Sequence, residues 1–140
     1  MSTRARIGIV NADGTITSIY TQSDGYFSHH SPILENHYAT EAKVRELLAL
    51  GALSYLAENI GEKHDFNNPV EGWCRSYHRD RDELLAVSIH KDRRAFDLFG
   101  SRCGAEYLYL FNKGKWTAKP EGPGRYLGLL AAQLAEKITT

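Results

Sequence analysis

"RIGIVNADGTITSIY", residues 6–20, decides how the fold begins, because two runs rich in Ile, Val and Thr flank a cluster of Asn, Asp and Gly. β-Branched residues favour strands, and Asn, Asp and Gly supply the positive φ angles of a tight turn. The stretch therefore predicts a hairpin with its turn at residues 11–14. "AEYLYLFNKGKWTA", residues 105–118, predicts a second hairpin with its turn at residues 112–115. Two hairpins favour an antiparallel sheet over repeated βαβ units.

Between the hairpins, apolar residues recur at helical spacing. "TEAKVRELLALG", residues 40–51, predicts a helix with Thr40 as its N-cap and a glycine as its stop. "ALSYLAENIG", residues 52–61, repeats the pattern and predicts another helix. Ser31 and Pro32 predict the start of a shorter helix that runs towards Tyr38.

The second half of the chain adds strands and a final helix. "WCRSYHR", residues 73–79, and "LLAVSIH", residues 84–90, predict two strands around the turn "DRDE". Helical turns are predicted in "DRRAFDLFG", residues 92–100, and a last helix at residues 125–138. Two sets of side chains are expected to face the core: Leu85, Val87 and Ile89 of the second strand, and Leu127, Leu130, Ala131, Leu134 and Ile138 of the last helix.

The predicted order is ββαα-ββ-(α)-ββα within a single domain spanning residues 1–140. A chain of 140 residues is long enough to bury one hydrophobic core. The expected fold class is α+β, with an antiparallel sheet of hairpins covered by helices.

Charge and cysteine content exclude several classes of protein. Lys and Arg number 17 and Asp and Glu also number 17, so the basic excess typical of proteins that coat nucleic acid is absent. The sequence has no signal peptide pattern and no apolar run of the roughly 20 residues that cross a bilayer. We therefore expect a cytoplasmic protein with no membrane partner. Cys74 and Cys103 are expected to be free thiols, although a bridge between them stays open.

No motif indicates an enzyme or a metal site, and we expect no catalytic residue, metal or cofactor. "HRD" at residues 78–80 and "DLFG" at residues 97–100 resemble kinase motifs, but the Gly-rich phosphate loop is missing. The six histidines lack the spacing of metal ligands. Cys74 and His78, four residues apart on a strand, would lie about 13 Å apart, beyond the reach of proton transfer.

One polar and aromatic stretch stands apart from these signals. On a strand, Trp73, Arg75, Tyr77 and Arg79 would share one face, with His78 on the other. Aromatic rings can stack on a base while arginines bind phosphate. The same row would also suit a protein interface, or a sheet face stiffened by cross-strand stacking alone. The pattern does not choose among these three interpretations.

A family resemblance supplies context. "DGTITSIYTQSDGY", "LENHY", "KVRELLALGALSYL", "YHRDRDE" and "YLYLFNKGKW" occur in this order, and over most of its length the chain resembles a family of small phage- and prophage-encoded proteins. Members of that family often carry Trp before D-G-Y and a Gly-rich segment after it, where this chain has Ser23 and "FSHHSP". The resemblance implies a phage accessory protein that counters host defence in the host cytoplasm.

Two modes of counter-defence are compatible with the resemblance. One is the sequestration of a nucleotide immune signal without catalysis, and the other is direct binding of a host defence protein. The first is the leading hypothesis, with a homo-oligomer as the expected assembly. The residues expected to bind the ligand are Trp73, Arg75, Tyr77, His78, Arg79 and Tyr26 of the D-G-Y motif. An enzyme with an unrecognised site is the third alternative.

Overall fold

Two hairpins form the centre of the sheet, as the sequence predicts. A computed structural model describes the backbone of residues 2–139 and the side chains of residues 2–135. The first hairpin joins β1 (Ala5–Val10) to β2 (Ile16–Thr21). The remaining strands are β3 (Leu53–Tyr55), β4 (Arg75–Ser76), β5 (Ser88–His90), β6 (Tyr107–Asn112), β7 (Lys115–Pro120) and β8 (Leu127–Gly128).

The eight described strands form one mixed sheet. Seven of them follow the order β4-β3-β2-β1-β6-β7-β8, and the eighth, β5, lies outside this order and pairs with β2. Two pairs are parallel, β1 with β6 and β2 with β3, while the other pairs are antiparallel. The α+β class is therefore confirmed. Among the described residues, five of the seven strand pairs are antiparallel as expected, and the β1–β6 pair is parallel because the second hairpin docks alongside β1.

Helices cover both faces of the sheet. On one face, apolar side chains of α1, α2 and α5 pack against Ile7, Ile9 and Ile19. On the other face, Phe96 of α4 packs against Leu108 and other residues of the sheet. The helices are α1 (Phe27–His37), α2 (Glu41–Leu48), α3 (Tyr77–Arg81), α4 (Arg93–Arg102) and α5 (Leu129–Thr139). Among the described residues, no helix is long and apolar enough to cross a membrane.

Helix α2 begins where its sequence pattern predicts, whereas α1 does not. The predicted cap of α2 is confirmed, because the Thr40 side chain accepts a hydrogen bond from the Lys43 N–H. Helix α1, however, begins at Phe27 instead of Ser31, and it contains Pro32 in its interior. The early start follows from tertiary packing, since the Phe27 ring meets the Tyr107 ring edge-on at 4.7 Å. The cap pattern at Ser31 and Pro32 could not predict that contact, because Phe27 and Tyr107 are distant in sequence.

The predicted helix over residues 52–61 does not form. Leu53 pairs with Thr21 of β2 and with Ser76 of β4, so this segment extends the sheet as β3. Its apolar residues Leu53 and Leu56 are buried as expected, but from an extended backbone. Pairing on both sides of β3 satisfies backbone groups that a short helix would leave open at its ends.

The prediction of one strand over all of residues 73–79 is also wrong. Only Arg75 and Ser76 pair as β4, and the chain turns into α3 at Tyr77. The Ser76 side chain accepts a hydrogen bond from the Arg79 N–H and so caps this helix. A single face shared by Trp73, Arg75, Tyr77 and Arg79 therefore does not exist.

A third correction concerns β5, whose apolar row was expected to face the core. Leu85, Val87 and Ile89 are 51%, 37% and 73% exposed, while His90 is buried. Among the described residues, β5 pairs only with β2, and residues 84–90 belong to neither hydrophobic core cluster. Val87 borders a shallow depression that Leu48 and Ala49 also line, and Leu85 lies against Gly51, just after the end of α2.

The last helix begins later than predicted because β8 first pairs with β7. Leu129 and Ala132 are buried, whereas Leu130 and Leu134 are exposed, so the inward face of α5 differs from the predicted stripe. Ala131, also predicted to face inward, is exposed. The side chain of Ile138 lies outside the described residues.

Candidate functional site

A long connection from β3 to β4 forms the walls of a cleft. Its two ends are tied together, because the Asn59 N–H donates to the Gly72 carbonyl at 3.0 Å and the Cys74 N–H donates to the Asn59 carbonyl at 2.8 Å. Between these hydrogen-bonded positions the chain forms a loop that leaves the sheet. The resulting cleft has a volume of about 350 Å³ and is lined by Tyr55, Pro69, Val70, Glu71, Gly72, Trp73 and Arg75.

Trp73 forms one wall of the cleft and is held there by a glycine. Gly61 has a φ of +70°, and a Cβ atom at this position would lie 2.4 Å from Cδ2 of the indole. The indole therefore packs directly against the Gly61 backbone. Its edge also meets the ring of His64, with 5.5 Å between centroids. These contacts fix the orientation of an aromatic surface that is still partly exposed.

Arg75 places a positive charge at the same cleft. Its Nε donates to the Ser54 hydroxyl at 3.2 Å and its Nη1 donates to the Phe66 carbonyl at 3.3 Å. Its guanidinium also lies 4.8 Å from the centroid of the Phe66 ring. Within residues 2–135 the remaining nitrogen, Nη2, makes no hydrogen bond. The guanidinium is thus held in place and still has donors for a ligand.

Tyr77 lies behind the cleft and does not line it. Its ring packs on Phe66 with 5.4 Å between centroids, and Arg81 lies over both rings. These three side chains hold residues 61–72 against α3. The expected role of Tyr77 in contacting a ligand therefore has no direct geometric basis, and its effect would pass through Phe66.

Arg79 connects the segments that carry the cleft. Its Nη1 donates to the Ile60 carbonyl at 2.7 Å, and its Nη2 donates to the Cys74 carbonyl at 2.8 Å. Both ends of its guanidinium also bond the carboxylate of Asp80, which is buried. The carboxylate further accepts hydrogen bonds from the N–H groups of Ser76 and His64. These bonds mark Arg79 as a structural clamp.

Asp80 is held in its charged form by this network. Burial by itself would raise the pKa of Asp80, but the bonds from Arg79, Ser76 and His64 outweigh burial and lower the pKa below its ordinary value. A buried carboxylate with a bidentate partner and two backbone donors has its hydrogen-bonding capacity filled. It offers little to a ligand.

The two other predicted site residues lie outside the cleft. His78 is exposed on α3, where its Nδ1 donates to the Glu83 carbonyl at 2.7 Å. Tyr26 precedes α1, and its ring meets the His29 ring at 6.2 Å. Of the six predicted residues, the structure thus brings together only Trp73 and Arg75.

Tyr55 is the cleft residue that the sequence did not single out. It was assigned to the helix that does not form, and no local motif marks it. Its ring borders the main cleft and also a second, more polar one, which His29, His37, Asn36 and Glu58 help to line. Burial, with the negative charges of Asp24 and Glu58, raises the pKa of Tyr55, so the phenol is neutral at physiological pH.

A serine–histidine pair on the opposite face of the sheet does not form a catalytic site. The Ser18 hydroxyl accepts a hydrogen bond from Arg6 Nε at 3.0 Å and lies 2.7 Å from His90 Nε2. The contact resembles that of a nucleophile with its base, but Ser18 is fully buried and no substrate can reach it. Across the described residues, no three His, Cys, Asp or Glu side chains converge as metal ligands.

No protein-family model, curated protein or solved structure matches this chain.

Proposed function

We propose that this protein binds a small nucleotide in the cleft formed by Tyr55, Trp73 and Arg75, and holds it without catalysis. The observation that supports the proposal best is the meeting of two aromatic rings and one guanidinium around a single cleft of about 350 Å³. Ligand pockets in proteins are typically about 300–1,000 Å³ and mostly apolar, with a few convergent polar groups.

Each part of the cleft suits one part of a nucleotide. The exposed surfaces of Trp73 and Tyr55 can stack on a base, with Val70 and Pro69 completing the apolar wall. The free donors of Arg75 can bind a phosphate oxygen, and the Glu71 carboxylate can accept a hydrogen bond from a ribose hydroxyl or a base amino group. Ser, Cys, His and Lys are absent from the seven described residues that line the cleft. This composition suits retention better than turnover.

In the biological role that we propose, the protein is a phage accessory protein that sequesters a nucleotide immune signal in the host cytoplasm. Sequestration requires a fixed cleft with high affinity and needs no catalytic group. The resemblance to phage-encoded proteins supports this role, and the cleft supports the class of ligand.

Isothermal calorimetry with a panel of cyclic and linear nucleotides tests the proposal. Arg75→Ala should weaken binding by about 1.5–3 kcal/mol through the loss of a charged hydrogen bond, and Trp73→Ala by about 1–3 kcal/mol through the loss of stacking. Arg93→Ala is the matched control, because Arg93 also lies over an aromatic ring, that of Tyr126, but does not line the cleft. Its affinity should stay close to that of the wild type.

The same measurements distinguish the main alternative, an inhibitor that binds a host defence protein directly. If no nucleotide of the panel binds, or if Arg75→Ala and Arg93→Ala weaken binding equally, the cleft is not the ligand site. Interaction with a host protein then becomes the leading explanation.

A further inference from the structure

An apolar strip lies at the open edge of the sheet, well apart from the cleft residues. The strip consists of residues 84–89, "LLAVSI", in which Leu84 is 94% exposed and Ile89 is 73% exposed. Soluble proteins usually protect such edges with lysine, proline or a bulge. This strip contains no charge and no proline, so a partner is expected to cover it.

Part of the strip's backbone also lacks hydrogen-bond partners, although at Ala86 it lies against Gly51. Among the described residues, no backbone hydrogen bond joins residues 84–87 to another part of the chain. Residues 88–90 pair with β2 along one side only. Unpaired N–H and C=O groups next to exposed leucines are the features that β-strand addition uses.

We infer that the strip is the interface for a second copy of this chain, joined edge to edge by antiparallel pairing across a two-fold axis centred on Val87. Such an axis, perpendicular to the sheet, keeps each side chain on its own face, so one residue must lie opposite its own copy. Centring on Val87 places Leu85 opposite Ile89, and Glu83 opposite Lys91.

Charge complementarity selects this register over its neighbours. With Val87 at the centre, the row on one face pairs Leu85 with Ile89 and ends in an acid–base pair on each side, while the other face pairs Ala86 with Ser88 and Leu84 with His90. Centring on Ala86 would place Glu83 opposite Ile89. Centring on Ser88 would place Leu85 opposite Lys91. Both of these alternatives bury a charge against an aliphatic side chain.

Sedimentation of the full-length chain tests the assembly. We expect a concentration-dependent shift from 15.7 kDa to twice that mass. Ile89→Lys should abolish the dimer, because it places an additional cation beside Lys91 in the strip. Leu134→Lys is the control, since Leu134 is a half-exposed leucine on α5, outside the strip.

The register has its own test. Glu83→Lys and Lys91→Glu should each weaken the dimer at least tenfold, and the double variant should recover most of this loss. In a Cys103→Ser background, Val87→Cys should form a disulfide-linked dimer under mild oxidation more readily than its neighbours, because only the residue on the two-fold axis lies opposite its own copy. Ser88→Cys should not, because its partner would be Ala86.

Three outcomes would overturn the inference. The first is a monomer from low micromolar to near-millimolar concentration, including one that binds the strand of another protein at this edge. The second is a dimer that survives Ile89→Lys but not Leu134→Lys. The third is equal cross-linking of the Val87→Cys and Ser88→Cys variants. None of these outcomes depends on nucleotide binding, because no residue of the strip lines the cleft.

Discussion

Arg79 donates a hydrogen bond of 2.7 Å to the carbonyl oxygen of Ile60, which lies 19 positions earlier in the chain. This bond and the ion pair with Asp80 hold together the two ends of the connection between β3 and β4, whose residues line the cleft. A loop of this many residues that leaves the sheet has few backbone hydrogen bonds of its own, so it is costly to order. One arginine therefore supplies much of its order.

Replacing Arg79 should destabilise the protein. Arg79→Met keeps the bulk of the side chain but leaves the Asp80 carboxylate buried without its partner, which typically costs about 3–5 kcal/mol. Urea denaturation should show this loss in the free energy of unfolding. Arg45→Met is the matched control, because Arg45 makes an exposed ion pair with Glu41 on α2, and such pairs contribute about 0–1 kcal/mol. Similar losses in the two variants would contradict the clamp.

The backbone of Gly61 should determine where Trp73 lies. Gly61→Ala forces a side chain into a positive φ and also places Cβ 2.4 Å from the indole, whereas Gly14→Ala meets only the strained φ, of +87°. We expect Gly14→Ala to cost about 1–2 kcal/mol and Gly61→Ala to cost clearly more, because overpacking adds about 1–3 kcal/mol. Thermal unfolding of both variants measures the difference. Equal losses would show that the indole moves aside without cost.

Metal removal should leave the protein unchanged. Within residues 2–135, no three His, Cys, Asp or Glu side chains lie close enough together to hold a metal ion. We expect the melting temperature measured with and without a strong chelator to agree within error. A fall of many degrees would show that a structural metal had been missed.

Local patterns predicted the parts of the fold that local chemistry determines. The Asn, Asp and Gly turns set both hairpins, and Thr40 set the start of α2. β3 could not be predicted in the same way, because its three residues become a strand only through Thr21 and Ser76, which are distant in sequence. The apolar spacing of residues 52–61 fits a helix equally well until these partners are known.

The residues of the cleft could be predicted only in part, because some of their positions also depend on partners that are distant in sequence. Trp73 and Arg75 were predicted because aromatic rings can stack on a base while arginines bind phosphate. Tyr55 did not stand out, since its position follows from the pairing of β3. Arg79 was assigned to the ligand because a strand pattern cannot show that Asp80, its neighbour, is buried. Because the chain turns into α3 after Ser76, Arg79 bonds the buried Asp80 while Arg75 lines the cleft.

Protonation of His30 should make the protein less stable in mild acid. This side chain is fully buried in α1, where its Nε2 lies 3.0 Å from the Thr21 hydroxyl. Burial, followed by the nearby charge of His29, lowers the pKa of His30 from 6.5 to about 3. The unfolded chain therefore binds a proton below pH 6.5 that the folded chain does not bind. The stabilisation is complete above pH 6.5 and is lost as the pH falls towards 3.

Urea denaturation over a series of pH values measures this effect. One proton contributes a slope of about 1.4 kcal/mol per pH unit in the free energy of unfolding. Burial also lowers the pKa of His90, which adds to the slope in the same direction. His30→Gln should remove its own share of the slope, whatever its effect on stability at neutral pH. Asn36→Gln, at an exposed position on the same helix that carries no titratable group, should keep the wild-type slope. If His30→Gln leaves the slope unchanged, His30 is not the group that couples folding to pH.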